Sequence, residues 1–570
     1  LLLGRLDALG DQGPNLLLDV PGAILDVEVD PGDAPRAEAA WRDALQDYLA
    51  ALGWSAAPVA CRPYAKGLNL AFAAPPDLLY AATEVNEAAW ARVSAEFAGE
   101  PPPDRENTLT LLRAAIAEER KPWLLDLAAE AALRHATLLA DDRRVSVGLG
   151  RGSVAWPIEE SARVVPRLAW SVVHDVPTVL VTGTNGKTTT VRLLGAMVEA
   201  AGRMAGVTST DAVTVGGHVV AEGDYSGPNG ARTVLRDRRV EIGILEVARG
   251  GILRRGLPLP RVTAAIVTNV ANDHLGEFGI DDVPGLADTK MVVAKAVGPE
   301  GRVVLNADDP LLLERGRRLA APVTWFTLDA GQRDVTEHLA RGGDACLLDG
   351  DALVFARGQE RREVARLADV PLTFGGAARH NVANALAAIA GAMALGLPPD
   401  AVTRALGSFL SDPAHNPGRA NIWDVAGATV ILDFAHNPHG VGALARMVAA
   451  MPAARRAIVI GQAGDRDDAS IRELAHSAWT MRPDRIFIKE LEEYLRGRER
   501  GVVPAILEGE FRALGAAEGV VSRHEGELDA VRAAIDWSRP GDLILLTVHE
   551  HRDSVIQLLE GLIAGRETRG

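Results

Sequence analysis

The sequence predicts an α/β protein in three parts: a small α/β unit over residues 1–103, a central doubly wound domain over 171–412 and a Rossmann-like domain over 413–570. A helical connection is expected over 104–170. Three observations lead there. Short β-branched runs alternate with segments of helical apolar spacing from about residue 171 onward, the pattern of a mostly parallel sheet. A chain of 570 residues is long enough for about three or four domains. The third observation is a Gly-rich run, Gly183-Thr184-Asn185-Gly186-Lys187-Thr188, set between a strand pattern and a helix pattern.

In the first part, residues 23–29 alternate like a strand, 37–52 have helical periodicity and 68–73 form a second strand candidate. Residues 83–97 read as a helix with Thr83 as its N-cap. No catalytic constellation stands out. Asp77 with Glu84, and Tyr64 with Lys66, read as surface or packing residues. Pro101-Pro102-Pro103 is a stiff break. Residues 107–141 then read as helical. Gly148–Ser153 is a second Gly-rich run, but its spacing fits no phosphate loop and a plain turn is expected.

In the central part, strands are expected at 177–182, 240–245, 263–268 and 302–305, with helices between them. Nucleotides bind at the carboxyl ends of such strands. The first strand runs into the Gly-rich turn, which aims backbone N–H groups and a helix N-terminus at one point and so suits an anionic phosphate. Lys187 adds a charge and Thr188 offers a hydroxyl to Mg²⁺. Gly183 and Gly186 are three apart, a shorter spacing than G-x-x-x-x-G-K-[ST]. Glu246 follows the second strand; Asn269 and Asp273-His274 follow the third. Glu246 and His274 are expected around Mg²⁺ above the loop, and Asn269 at a base edge.

The last part offers strands at 429–432, 456–460, 486–488 and 543–546. The first two end at polar runs, Asp433 to Pro438 and Gly461 to Asp467. No G-x-G-x-x-G follows a strand, so a dinucleotide is not expected. His549 and Glu550 follow the last strand; they either select a cationic or polar side chain or form a surface turn.

Composition sets outer limits. With 48% hydrophobic and 24% charged residues the chain can build full cores. A net charge of −16 argues against nucleic acid and anionic membranes as partners. Cys61 and Cys346 form neither a disulfide framework nor a metal motif. No signal-peptide pattern follows the leucine at position 1, and no apolar run approaches the ~20 residues of a membrane span. A cytoplasmic location is expected.

The motifs resemble those of the Mur ligase superfamily. Its short-spaced ATP loop is Gly183-Thr-Asn-Gly-Lys-Thr188, followed in order by Glu246, Thr268-Asn269, Asp273-His274, Lys290, Asn306 to Pro310, His380-Asn381 with Asn384, Asn416 to Arg419, and Asp433 to Pro438. Within that superfamily the chain is most similar to the ligase half of the cyanophycin synthetase family. Ser209-Thr210-Asp211, Gly227-Pro228-Asn229, Ala248-Arg249-Gly250-Gly251 and the N-terminal Gly13-Pro14-Asn15 carry that likeness. The 104–170 segment is too short for the ATP-grasp domain of that family, which implies a relative with one active site.

The resemblance implies an ADP-forming ligase that makes an amide between an amino acid and a carboxylate of an amino acid, peptide or polymer through an acyl phosphate. ATP and Mg²⁺ in two sites are implied. Loop residues Gly183 to Thr189 with Lys187 would hold phosphates, and Thr188, Glu246, His274 and Lys290 would surround the metal, Lys290 matching a lysine often carbamylated. Asn269 and Asn384 would lie near adenine, with Arg419 and Asp433 on the nucleotide across the cleft. Arg249, Arg254, His436, Asn437, Asp465 and Arg466 are implied for substrate. Homo-oligomerisation stays open. A folylpolyglutamate-type ligase and a non-catalytic nucleotide- or polymer-binding relative are the alternatives.

Overall fold

Strand Thr178–Thr182, with the sequence TVLVT, is buried along its whole length. β-Branched residues suit a strand covered on both faces. Val179 and Val181 point into one core, Leu180 into the other. The structure, a computed structural model, describes residues 6–9 and 13–567. Among these, Thr178–Thr182 lies inside an eleven-stranded sheet, parallel to Ile242–Glu246 on one side and Val262–Val267 on the other. The parallel run continues through Ala205–Thr208 at one end and through Val297–Asn306, Val323–Thr327 and Asp344–Asp349 at the other. Antiparallel pairs finish the sheet: Ala212–Val215 with His218–Glu222, and Ala352–Arg357 with Glu360–Arg366. Helices Lys187–Ala200 and Arg379–Ala394 pack over one face around Leu194, Ile266 and Ile389.

The last part is a six-stranded sheet in the order Asn421–Val425, Ala428–Asp433, Leu543–Thr547, Arg456–Ile460, Arg485–Lys489, Val521–His524. All pairs are parallel except the first. The first part is a four-stranded antiparallel sheet, Leu6–Leu9, Gly22–Glu28, Gly67–Ala73 and Val59–Tyr64, with helices Ala34–Leu52 and Leu79–Ala98 on its core face.

Two local expectations fail. The helix expected to start at Thr83 begins at Leu79, with Leu78 at the cap position. Thr83 lies inside it, and its hydroxyl donates to the Tyr80 carbonyl at 2.7 Å. Leu78 and Leu79 are buried, so apolar anchoring starts the helix before any cap residue can. Residues 104–170 are also not simply helical. Helices Arg105–Glu119 and Pro122–Leu133 are separated where Pro122 cannot continue the first and opens the second. A three-stranded antiparallel sheet follows, Leu138–Ala140, Arg144–Val147 and Val154–Pro157. Arg236 ties it to the central domain through Asp141, Ser146 and the Leu139 carbonyl. No helix of the described residues is long and apolar enough to cross a membrane.

Candidate active site

Both glycines of the loop have a steric cause. Gly183 and Gly186 have φ of 148° and 88°. A Cβ at 183 would stand 1.8 Å from Thr268 Oγ1, and one at 186 would stand 2.2 Å from Asn384 Oδ1. The loop is therefore pressed between a strand end and the start of helix Arg379–Ala394. Thr268 Oγ1 donates to the Asn185 carbonyl at 2.6 Å. Asn269 Oδ1 accepts the Asn185 N–H at 3.0 Å, and its Nδ2 donates back to the Asn185 carbonyl at 2.9 Å. Asn269 lines the cavity but its amide braces the loop, where the sequence suggested a base contact. Thr189 is likewise engaged elsewhere: its hydroxyl accepts from Asn416 Nδ2 at 3.2 Å, linking the loop helix to the next domain. Lys187 Nζ donates to the Thr184 carbonyl at 3.1 Å.

Thr188 and Glu246 come together as expected. Thr188 Oγ1 donates to Glu246 Oε2 at 3.0 Å. Glu246 is 1% exposed, and its Oε1 is buried without a partner among the described residues. Burial pushes its pKa up, while Lys187 and the Thr188 hydroxyl pull it back. A fixed carboxylate oxygen beside a hydroxyl is a hard-oxygen donor set, which fits Mg²⁺.

His274 stands in a second group. Its Nε2 lies 2.8 Å from Arg466 and its Nδ1 3.2 Å from Glu277 Oε1. Asp273, His274 and His436 offer ligand atoms all within 4.8 Å of one another. Burial raises the Asp273 pKa, but His436, His274 and Arg466 outweigh it and hold the carboxyl down. Lys290 is 3% exposed. Burial, then the Lys187 charge, push its ammonium well below the ordinary lysine range, with Asp273 opposing.

The opposite wall comes from the C-terminal domain. Arg419 packs 5.0 Å from the centroid of the Phe434 ring. Asp433 reaches the cleft, but its carboxylate accepts the backbone N–H groups of Ala420 and Ala435, both at 2.7 Å. In this state it shapes the strand end, where the sequence suggested a nucleotide contact. Asn437 caps helix Pro438–Ala450 and exchanges amide contacts with Asn185 at 3.1 and 3.2 Å. Of the other substrate candidates, Asp465 pairs with Arg496, and Arg254 donates to the Gly250 carbonyl at 3.3 Å. Arg249 holds the His274 carbonyl and Glu277. His436 and Arg466 face the Asp273 and His274 side chains. His549 is not a surface turn. Its Nδ1 accepts from buried Lys489 at 3.2 Å, so its Nε2–H donates to the Ala435 carbonyl at 3.1 Å. Glu527 fixes the backbone amides of His549, Glu550 and His551.

These walls enclose a cavity of about 740 Å³ that runs from Lys187 and Glu246 past Asn384 to Asp309 and Arg446. His380 and His439 also line it, His439 with its Nδ1 2.9 Å from Asn185 Nδ2 of the loop, and no role was expected of either from the sequence. Their only signal was His380-Asn381 at a helix start and the polar run after Asp433. Asp211 sits among Arg192, Arg419 and Arg552 from both domains.

Residues 181–392 match the Mur ligase middle domain, and residues 418–547 match the Mur ligase glutamate ligase domain. Cyanophycin synthetase of Trichormus variabilis is 34% identical over 398 residues, 68% of this chain and 43% of that protein. The chain thus spans less than half the length of such relatives. UDP-N-acetylmuramoyl-L-alanyl-D-glutamate–2,6-diaminopimelate ligase of Geobacter metallireducens is 27% identical over 445 residues, 71% of this chain and 83% of that one. Among solved structures, E. coli FolC in complex with ADP has a similar fold, with a TM-score of 0.51 and 22% identity over 69% of this chain and 90% of that one.

Proposed function

Because this chain belongs to the Mur ligase family through its middle and C-terminal domains, we propose that it is an ATP-dependent, ADP-forming ligase joining an amino acid to a carboxylate of an amino acid, peptide or polymer. The observation that carries the reading is Glu246, a buried carboxylate with one unpartnered oxygen, bonded to Thr188 at the head of the phosphate loop. The loop amides and Lys187 take the phosphate oxygens of ATP. Thr188 and Glu246 hold Mg²⁺, and His274 serves a second ion with Lys290, whose neutral amine is the form that reacts with CO₂ to give a carbamate. When bound, Mg²⁺ supplies neutralisation of the phosphoryl charge. The carbamate and the second metal are the finer part of this reading and rest on the likeness to the family.

A carboxylate and an amine do not condense at neutral pH. Transfer of the γ-phosphoryl from the ADP oxygen to a carboxylate oxygen makes a reactive acyl phosphate. The amine nitrogen then bonds to the acyl carbon, the carbon–oxygen bond to phosphate breaks, and phosphate and one proton leave. Arg419 and Lys187 face that charge from the two walls, and the walls keep water from the acyl phosphate. His436 and Arg466, beside His274, place the reacting end of the substrate.

The test is ADP release across pairs of amino acids and short acidic peptides, with mass detection of the amide. ADP release that needs both a carboxylate and an amine is expected, and Lys187→Ala should abolish it. ATP binding with no such turnover for any pair would favour a non-catalytic relative. The FolC likeness bears on the fold alone and does not favour a folate substrate.

A further inference from the structure

The loop between strand Val262–Val267 and helix Val283–Met291 carries Asp273 and His274, and it is held in a shape that its own sequence disfavours. His274 and Phe278 have φ of 52° and 53°, left-handed values that cost energy in non-glycine residues. Such backbone persists where neighbours over-determine it. Part of the hold is local. Arg249 grips the His274 carbonyl and Glu277, and the Arg254 guanidinium lies 5.5 Å from the centroid of the Phe278 ring.

The rest comes from the N-terminal domain. Arg62, on edge strand Val59–Tyr64 and 217 residues away in sequence, donates to the Gly279 carbonyl. Its Nε donates to Asn69 Oδ1 at 3.1 Å, and Asn69 Nδ2 donates to Asp26 Oδ1 at 2.6 Å. The guanidinium is thus aimed by two neighbouring strands. The Ala65 N–H donates to Asp281 Oδ2 at 2.7 Å. The Tyr64 ring fills the space beside Gly279, where a Cβ would stand 2.7 Å from Tyr64 Cδ1. Leu16 packs on the same loop through Leu253, Ile280 and Leu286.

We infer that the N-terminal domain braces the Asp273–His274 loop, and that Arg62 is a positioning residue acting on His274 through Gly279. The inference rests on His274 being a metal ligand, as proposed above. It is tested on the full chain by Mn²⁺ titration in the presence of ADP, followed by paramagnetic resonance, and by hydrogen exchange over residues 270–282. Arg62→Ala and Asp281→Ala should each weaken Mn²⁺ binding about tenfold. Both should speed exchange in the loop and leave metal-free ADP affinity unchanged. Arg62→Lys, which keeps one donor, should fall between. Asp281 is exposed, so its removal keeps the test alive if Arg62→Ala does not fold. Unchanged Mn²⁺ affinity and exchange in both variants, alongside lost Mn²⁺ binding in His274→Ala, would overturn the brace. Unchanged Mn²⁺ affinity in His274→Ala would instead overturn the metal assignment, and loop exchange would still decide the brace.

Discussion

His380 has a buried Nδ1 with no partner among the described residues, and burial, aided by His439 and Arg446, holds its pKa down at about 4. Unfolded, the imidazole titrates near its ordinary value, 6.5. Between those values the unfolded chain binds more protons, so stability falls as pH drops through that window. The loss is up to about 1.4 kcal/mol per pH unit. His380→Leu should flatten this dependence in urea unfolding from pH 6.5 to 4; equal slopes would show that His380 is not held neutral. Glu246→Gln keeps an acceptor for Thr188 but removes the charge. It should abolish metal-dependent tightening of ADP binding while sparing metal-free binding, as calorimetry would read. Lys187, Thr188 and Glu246 were legible in the sequence because each stands where a parallel strand ends. The bracing contacts of Asn269, Thr189 and Asp433 were not, because their partners are backbone groups or distant side chains that no local pattern announces.

Among elements, the phosphate turn makes the sharpest expectation. Gly186→Ala adds a methyl group 2.2 Å from Asn384 Oδ1 at a φ of 88°. Strain of about 1–3 kcal/mol falls on the loop, so affinity for a fluorescent ADP analogue should drop about tenfold or more. Asn384→Ala combined with it should recover part of the loss; no recovery would place the strain in φ alone. Buried parallel strands were readable as apolar β-branched runs. The sheet within 138–157 was missed because its strands are three or four residues long and follow two real helices. The antiparallel strands at the ends of the large sheet were missed for a related reason. Glu360–Arg366 opens on four exposed charged residues, and the apolar run of His218–Glu222, Val219-Val220-Ala221, is only three residues long and largely exposed.

For the whole molecule, Asp211 joins the two walls of the cleft. Burial alone would raise its pKa, but Arg419, Arg192 and Arg552 outweigh that and hold it below the ordinary carboxylate value. Its contribution is therefore present above the unfolded value and is lost as pH falls. Arg552 donates to Asp211 at 2.6 Å from the C-terminal domain, and Arg192 at 2.7 Å from the central one. Asp211→Ala leaves three arginines facing one another. It should cost about 3 kcal/mol in unfolding free energy and widen the cleft, seen as a larger radius of gyration in small-angle scattering. An unchanged radius would mean that other contacts set the domain angle. The alternation of strands and helices was readable along the chain, but contacts such as Asp211–Arg552 join residues 341 apart and leave no periodic trace.

One of the two outermost strands of the eleven-stranded sheet, Glu360–Arg366, begins Glu-Arg-Arg-Glu, and all four of these residues are exposed. A second sheet laid along that edge would have to strip water from two carboxylates and two guanidiniums in register. Mismatched pairing would set like charges side by side. On this side, the sheet thus ends in a strand that resists edge-to-edge polymerisation.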